Sequence, residues 1–233
     1  MCIRDRNYPN GLANGVAVDP RGRRVAMAVS SGSVDVMDLT PGAKPRTLGT
    51  HEGQAFNVAF SPVDETLASG GIDGTVKVWG GPGGSRTLGS HDGPVLGFAF
   101  SPDGRWLASS SGDKTVRVWD LSGEEQPRII RSSQGAIYSV AFAGQDRLVA
   151  GGEDGVRVMD WRRGVTLLTI PRPADAVTAT GEAPAIAWYG PDDIVREIEC
   201  DVCGPIDDVE AAAHERTTRE LTEAEKADFH VQN

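Results

Sequence analysis

Two histidine–carboxylate dipeptides, His51-Glu52 and His91-Asp92, are the residues that most invite a catalytic reading. Their spacing argues against it. They stand 40 residues apart, as do Phe60 and Phe100, Asp73 and Asp113, and Trp79 and Trp119. A residue set that recurs with its surroundings at a fixed period reads as architecture, not as a reacting centre. His214 and His230 lie far down the chain with no partner cluster. Cys200-Asp-Val-Cys203 is the one metal-like spacing, yet a closed zinc site needs four ligands and His214 is at best a third. No histidine follows Cys203, which excludes covalent haem. Asp201, Asp207 and Asp208 would oppose a reactive thiolate. The pair is therefore expected to pack the last strand against the tail, with a metal or redox role as the alternative. The glycine run from Gly80 to Ser85 lacks the GxxxxGK[ST] spacing of a phosphate loop, and no Gly-x-Ser-x-Gly elbow occurs. No catalytic residue, metal or cofactor is expected.

The repeats must therefore be read as elements. HEGQAFNVAFSPVDETLASGGIDGTVKVW and HDGPVLGFAFSPDGRWLASSSGDKTVRVW align without a gap. A third copy starts near Ser133, an earlier one near Gly11, and a weaker fifth follows Pro173. Phe56, Val58 and Phe60 alternate with the period of a strand, as do Val76 and Val78. Ser61-Pro62 ends the first run, and Gly70 to Gly74 and Ser110 to Lys114 supply hairpin turns. Arg46-Thr47-Leu48 and Arg86-Thr87-Leu88 add a short strand before each histidine. Four strands per roughly 40 residues is the period of a propeller blade. Blade boundaries are expected near 9–44, 45–84, 85–126, 127–163 and 164–203.

Units two and three resemble WD repeats, with His51 and His91 at the Gly-His position and Trp79 and Trp119-Asp120 at the Trp-Asp position. The resemblance runs from Gly11 to about Cys200. It implies one hydrogen-bonded chain per blade: His51, Ser69, Asp73 and Trp79, then His91, Ser109, Asp113 and Trp119. Such a chain satisfies a buried indole and imidazole together and fixes one geometry. Unit four keeps Asp154 but carries Ser133, Ala150 and Met159 elsewhere, and unit one has Pro9, Ser31 and Met37. The chain of bonds cannot be completed there, so apolar packing is expected to hold those blades. In this fold the turns before the innermost strand and after the second strand line one rim. There Glu52, Gln54, Ile72, Asp92, Lys114, Gln134 and Glu153 are the candidate partner-binding residues. Glu52, Asp92 and Glu153 make that rim mildly acidic, suited to a basic peptide or protein surface.

The chain has 233 residues, 29 Gly, 14 Pro and three Cys, too few cysteines for a disulfide scaffold, so a reducing, cytoplasmic setting is expected. No apolar run is long enough to span a membrane. From Asp192 onward there are 13 acids and four bases, whereas the preceding residues hold 20 acids and 19 bases. Neither part offers the basic stripe that nucleic acid or an anionic membrane would require. Five units fall short of the roughly 280 residues of a seven-bladed ring. The expected fold is thus an all-β WD-repeat propeller fragment of about five blades, over 9–203, whose gene extends upstream. Residues 1–8 match no blade and read as a non-native leader. Residues 204–233 form an acidic tail with helices expected over 207–219 and 223–229. Arg219 to Glu225 resembles the tail closing WD-repeat regions of bacterial signal-transduction ATPases. These readings imply a non-catalytic scaffold or sensor, the C-terminal part of a larger bacterial signalling protein. The alternative, a propeller enzyme with a central-channel site, needs inward acids or histidines that Asn57-Val58-Ala59, Gly97-Phe98-Ala99 and Ser139-Val140-Ala141 do not supply.

Overall fold

The computed structural model describes residues 11–81, 83–131, 133–179, 185–192 and 194–199. Every regular element among them is a β-strand. The first sheet holds β1 (Ala13–Val18), β2 (Arg24–Val29), β3 (Ser33–Asp38) and β4 (Arg46–Thr50), and the second β5 (Ala55–Phe60), β6 (Leu67–Gly71), β7 (Thr75–Trp79) and β8 (Arg86–Ser90). The third comprises β9 (Val95–Phe100), β10 (Trp106–Ser111), β11 (Val116–Asp120) and β12 (Arg128–Ile130). The fourth comprises β13 (Ile137–Ala143), β14 (Arg147–Gly152), β15 (Gly155–Asp160) and β16 (Val165–Ile170). A three-stranded fifth sheet holds β17 (Ala176–Ala179), β18 (Ala185–Tyr189) and β19 (Val195–Glu199). Each sheet is an antiparallel meander with its strands in chain order.

The first strands of successive sheets pack against one another, β1 on β5, β5 on β9, β9 on β13 and β13 on β17. The sheets are therefore blades radiating from an inner row of strands. Asn14 Nδ2 donates to the Ala55 carbonyl and Asn57 Nδ2 to the Leu96 carbonyl, both at 2.9 Å, tying that row together. Apolar cores lie between blades. Ala26, Val34 and Val36 meet Val58 and Leu67; Val76 and Val78 meet Val95 and Leu107. Beyond them, Val116 and Val118 meet Leu148 and Met159, and Val156 and Val158 meet Val177 and Ile186. The all-β reading, with antiparallel sheets arranged as propeller blades, is thus observed among the described residues.

The expected blade boundaries need correction. Arg46–Thr50 pairs with β3, and Arg86–Ser90 with β7, so each of these strands is the outer edge of the preceding sheet. The strand before each histidine closes one blade, and the histidine starts the descent into the next. The leader, both expected helices, Pro9, Cys200 and Cys203 lie outside the described residues.

Candidate functional site

Because the sheets are antiparallel meanders, the loop before each inner strand and the turn after each second strand fall at the same end of the blade. That places 51–54 beside 72–74, and 91–94 beside 112–114. The Ile72 N–H bonds the Gln54 carbonyl at 2.9 Å, closing this rim within a blade. Gly74 and Lys114 take the left-handed backbone these tight turns require, at φ 72° and 71°.

Beneath the rim run the two expected chains of bonds. His51 Nδ1 lies 3.1 Å from Asp73 and its Nε2 lies 2.8 Å from Ser69 Oγ, which accepts the Trp79 indole N–H at 2.8 Å. In the next blade the distances are 3.0 Å to Asp113, 2.7 Å to Ser109, and 2.8 Å from the Trp119 indole. The indole N–H is a donor only, so the serine oxygen accepts it and its hydroxyl hydrogen is free to be donated to Nε2. That arrangement suits a neutral imidazole with its proton on Nδ1 facing the aspartate. Burial holds both histidines below their usual pKa, and the facing aspartates offset only part of that. Burial by itself would raise Asp73 and Asp113. The donors around them, among them the N–H groups of Glu52 and Thr75 for Asp73, and the Thr115 hydroxyl, His91 and the Asp92 N–H for Asp113, outweigh it and keep both carboxyls below the usual value. Ser69 and Ser109 are fully buried and already bonded to an imidazole and an indole, so neither hydroxyl is open to a substrate.

Three findings amend the expected network. Thr75 and Thr115 belong to it, donating to Asp73 and Asp113 at 2.9 and 2.7 Å. Their own 40-residue spacing was the signal available. Trp119 is 3 % exposed, but Trp79 is only half-buried. Leu121 packs in the same cluster as Trp119, whereas its counterpart after Trp79 is Gly81, with no side chain to cover the ring. The fourth blade is not held by apolar packing alone. Ser133 Oγ bonds Asp154 at 2.8 Å, and Arg157 grips the same carboxylate through two nitrogens at 2.8 and 2.7 Å. That bidentate pair holds Asp154 well below the usual carboxylate range. Ala150 occupies the register of Ser69, opposite an inner-strand valine, so the bond chain ends before Met159. In the first blade Asp35 is buried and accepts Ser33 at 3.2 Å and Thr47 at 2.6 Å.

Glu52, Gln54, Ile72, Asp92, Lys114, Gln134 and Glu153 are all exposed on the rim. Glu52, Asp92 and Gln134 give their backbone N–H groups to Asp73, Asp113 and Asp154 at 3.0, 3.1 and 2.8 Å, turning their side chains outward. Asp92 is 91 % exposed, with Arg117 3.9 Å away. Ile72 is 49 % exposed. Glu153 is more committed than expected, accepting the Tyr138 hydroxyl at 3.0 Å and the Ala136 N–H at 3.1 Å. Among the described residues no three His, Cys, Asp or Glu side chains gather in a metal-binding group, and no helix is long and apolar enough to cross a membrane.

A family model described as "WD domain, G-beta repeat" matches residues 42–80 and 85–120. The chain is 37 % identical over 71 residues to WD repeat-containing protein slr1409 of Synechocystis, covering 30 % of this chain and 21 % of that protein. It is 35 % identical over 67 residues to WD repeat and HMG-box DNA-binding protein 1 of Mus musculus, and 32 % identical over 67 residues to the Homo sapiens protein of that name. Each of the latter matches spans 29 % of this chain and 6 % of the relative.

Proposed function

We propose, for a chain that carries WD repeats, that it is a non-catalytic docking propeller whose acidic rim receives a basic peptide or protein surface. WD-repeat proteins generally act as protein-interaction scaffolds. One observation carries the finer reading: the buried histidines and aspartates of blades two and three are used up in holding the rim, while Glu52 and Asp92 project from it into solvent. Recognition residues on loops above a rigid scaffold are the usual arrangement. Rim charges act chiefly on association rate and salt dependence. A place in a bacterial signalling protein of the cytoplasm fits the resemblance of the Arg219–Glu225 segment. The DNA-binding in the name of the mammalian relatives belongs to those proteins, and an acidic rim disfavours nucleic acid here.

The test is joint charge reversal, Glu52→Lys, Asp92→Lys and Glu153→Lys, followed by capture from the source cell's lysate at two salt concentrations. Retained folding with capture lost, and wild-type capture weakened by salt, is the expected result. Unchanged capture by a folded triple variant overturns the rim assignment.

A further inference from the structure

On the face opposite the rim, the clefts between blades are not equally filled. Between blades three and four, Trp106 and Trp161 meet with ring centroids 4.8 Å apart and planes tilted by 56°, both nearly inaccessible. Guanidinium groups roof this pair. Arg162 lies 4.4 Å from the Trp161 centroid, Arg105 5.1 Å from that of Trp106, and Arg128 5.8 Å from that of Trp161. The Trp161 indole N–H donates to the Gln145 carbonyl at 2.9 Å.

One blade back, the same positions hold smaller residues. Trp106 immediately precedes Leu107, and its counterpart before Leu67 is Thr66; Trp161 follows Asp160, and its counterpart after Asp120 is Leu121. Between them is a cavity of about 280 Å³, floored by Val78 and walled by Gly80 and Gly83. That is close to the lower limit, roughly 300 Å³, of small-ligand pockets, room for a single ring. Arg86 corresponds to Arg128, since both open the outer strand opposite Val78 and Val118. Both reach the following blade's turn: Arg86 donates to the Leu121 carbonyl at 2.6 Å, and Arg128 to that of Arg162 at 2.5 Å. Arg128 covers an indole. Arg86 lines a cavity.

We propose that this cleft receives one aromatic side chain, an indole in first place, presented by a partner protein with a single carboxylate beside it. The neighbouring cleft shows how a ring is seated there, edged by apolar side chains and roofed by guanidinium groups, an arrangement that cation–π attraction favours. The cations of the cleft leave room for one carboxylate beside the ring. Arg105 is shared among Asp120, Glu124 and Glu125. Asp64, which also lines the cavity, is engaged by the Thr66 N–H at 2.9 Å. Arg86 makes no ion pair among the described residues, so a carboxylate beside the incoming ring finds a cation. This site stands apart from the acidic rim and does not depend on it.

The test uses the full chain and a fluorescein-labelled peptide in which one tryptophan has a single neighbouring glutamate among neutral residues, read by anisotropy. Saturable binding is expected, at least about tenfold weaker when the peptide tryptophan is replaced by alanine, which is the loss expected from one buried ring. Arg86→Met weakens binding by about three- to thirtyfold. The double variant Thr66→Trp/Leu121→Trp fills the cleft as its neighbour is filled and abolishes binding. If that variant fails to fold, Leu121→Phe, checked by its melt, takes its place and must weaken binding. Absence of binding to the wild type, equal binding of the two peptides, or wild-type affinity in a folded cleft-filled variant each overturns the proposal.

Discussion

His51 and His91 show why a histidine next to an acid need not be a catalyst. Each ring is buried and spends both nitrogens on one blade's serine and aspartate. His51→Ala leaves Ser69 and Asp73 short of a partner, and urea denaturation should show a loss of about 1–3 kcal/mol. Ser133→Ala should be mild, because Arg157 still holds Asp154. Trp119→Ala should cost about 3–5 kcal/mol, and the half-buried Trp79 measurably less. The histidines also set an acid sensitivity. Their folded pKa values lie below the ordinary 6.5, so the unfolded chain binds protons that the folded chain refuses. Their contribution is full above pH 6.5 and is lost as pH falls towards their folded values. Asp73 and Asp113, depressed below the ordinary 3.8, add a second loss on the acid side of that value. Thermal melts from pH 8 to 3 should therefore fall in two stages, with the first reduced in a variant carrying His51→Gln and His91→Gln. These eight positions were readable because they repeat together. Arg157 was not, because it does another residue's work from a position where the other blades carry Lys77 and Arg117, neither of them a bidentate partner of the aspartate.

At the scale of the strand, the recurring Leu-Gly before each histidine has a packing reason. A Cβ on Gly49 would stand 2.5 Å from the Trp79 ring, and one on Gly89 would stand 2.6 Å from that of Trp119. The outer strand of one blade thus makes room for the indole of the next, which couples neighbours through the same ring that ends the hydrogen-bond chain. Gly49→Ala should cost about 1–3 kcal/mol by overpacking, measured by urea denaturation. In a Trp79→Ala background the cost should largely vanish, since the obstructing ring is gone. Strand number and alternation were legible from the repeat. Ownership of the outer strand was not, because a 40-residue period looks the same wherever it is cut, and only pairing of Arg46–Thr50 with β3 decides it. The contact of Trp106 with Trp161 was likewise hidden, since one belongs to the third unit, the other to the fourth, and neither stands at a repeat-signature position.

Across the whole molecule the blades divide the labour. Buried histidines, aspartates and inter-blade valines fix the shape, and the loops above them carry exposed acidic side chains at Glu52 and Asp92. Alternation and period show the fold because they report on burial. The partner is not legible in the same way, since exposed turn residues have no packing rule that constrains them. The claim that recognition occurs on this rim is tested most directly by amide hydrogen exchange of the chain with and without its captured partner. Slowed exchange should appear at 51–54, 72–74, 91–94, 112–114 and 133–136, the loops at the histidine end of the blades. Protection confined to the opposite loops at 61–66 and 101–105, with the rim unchanged, would contradict it.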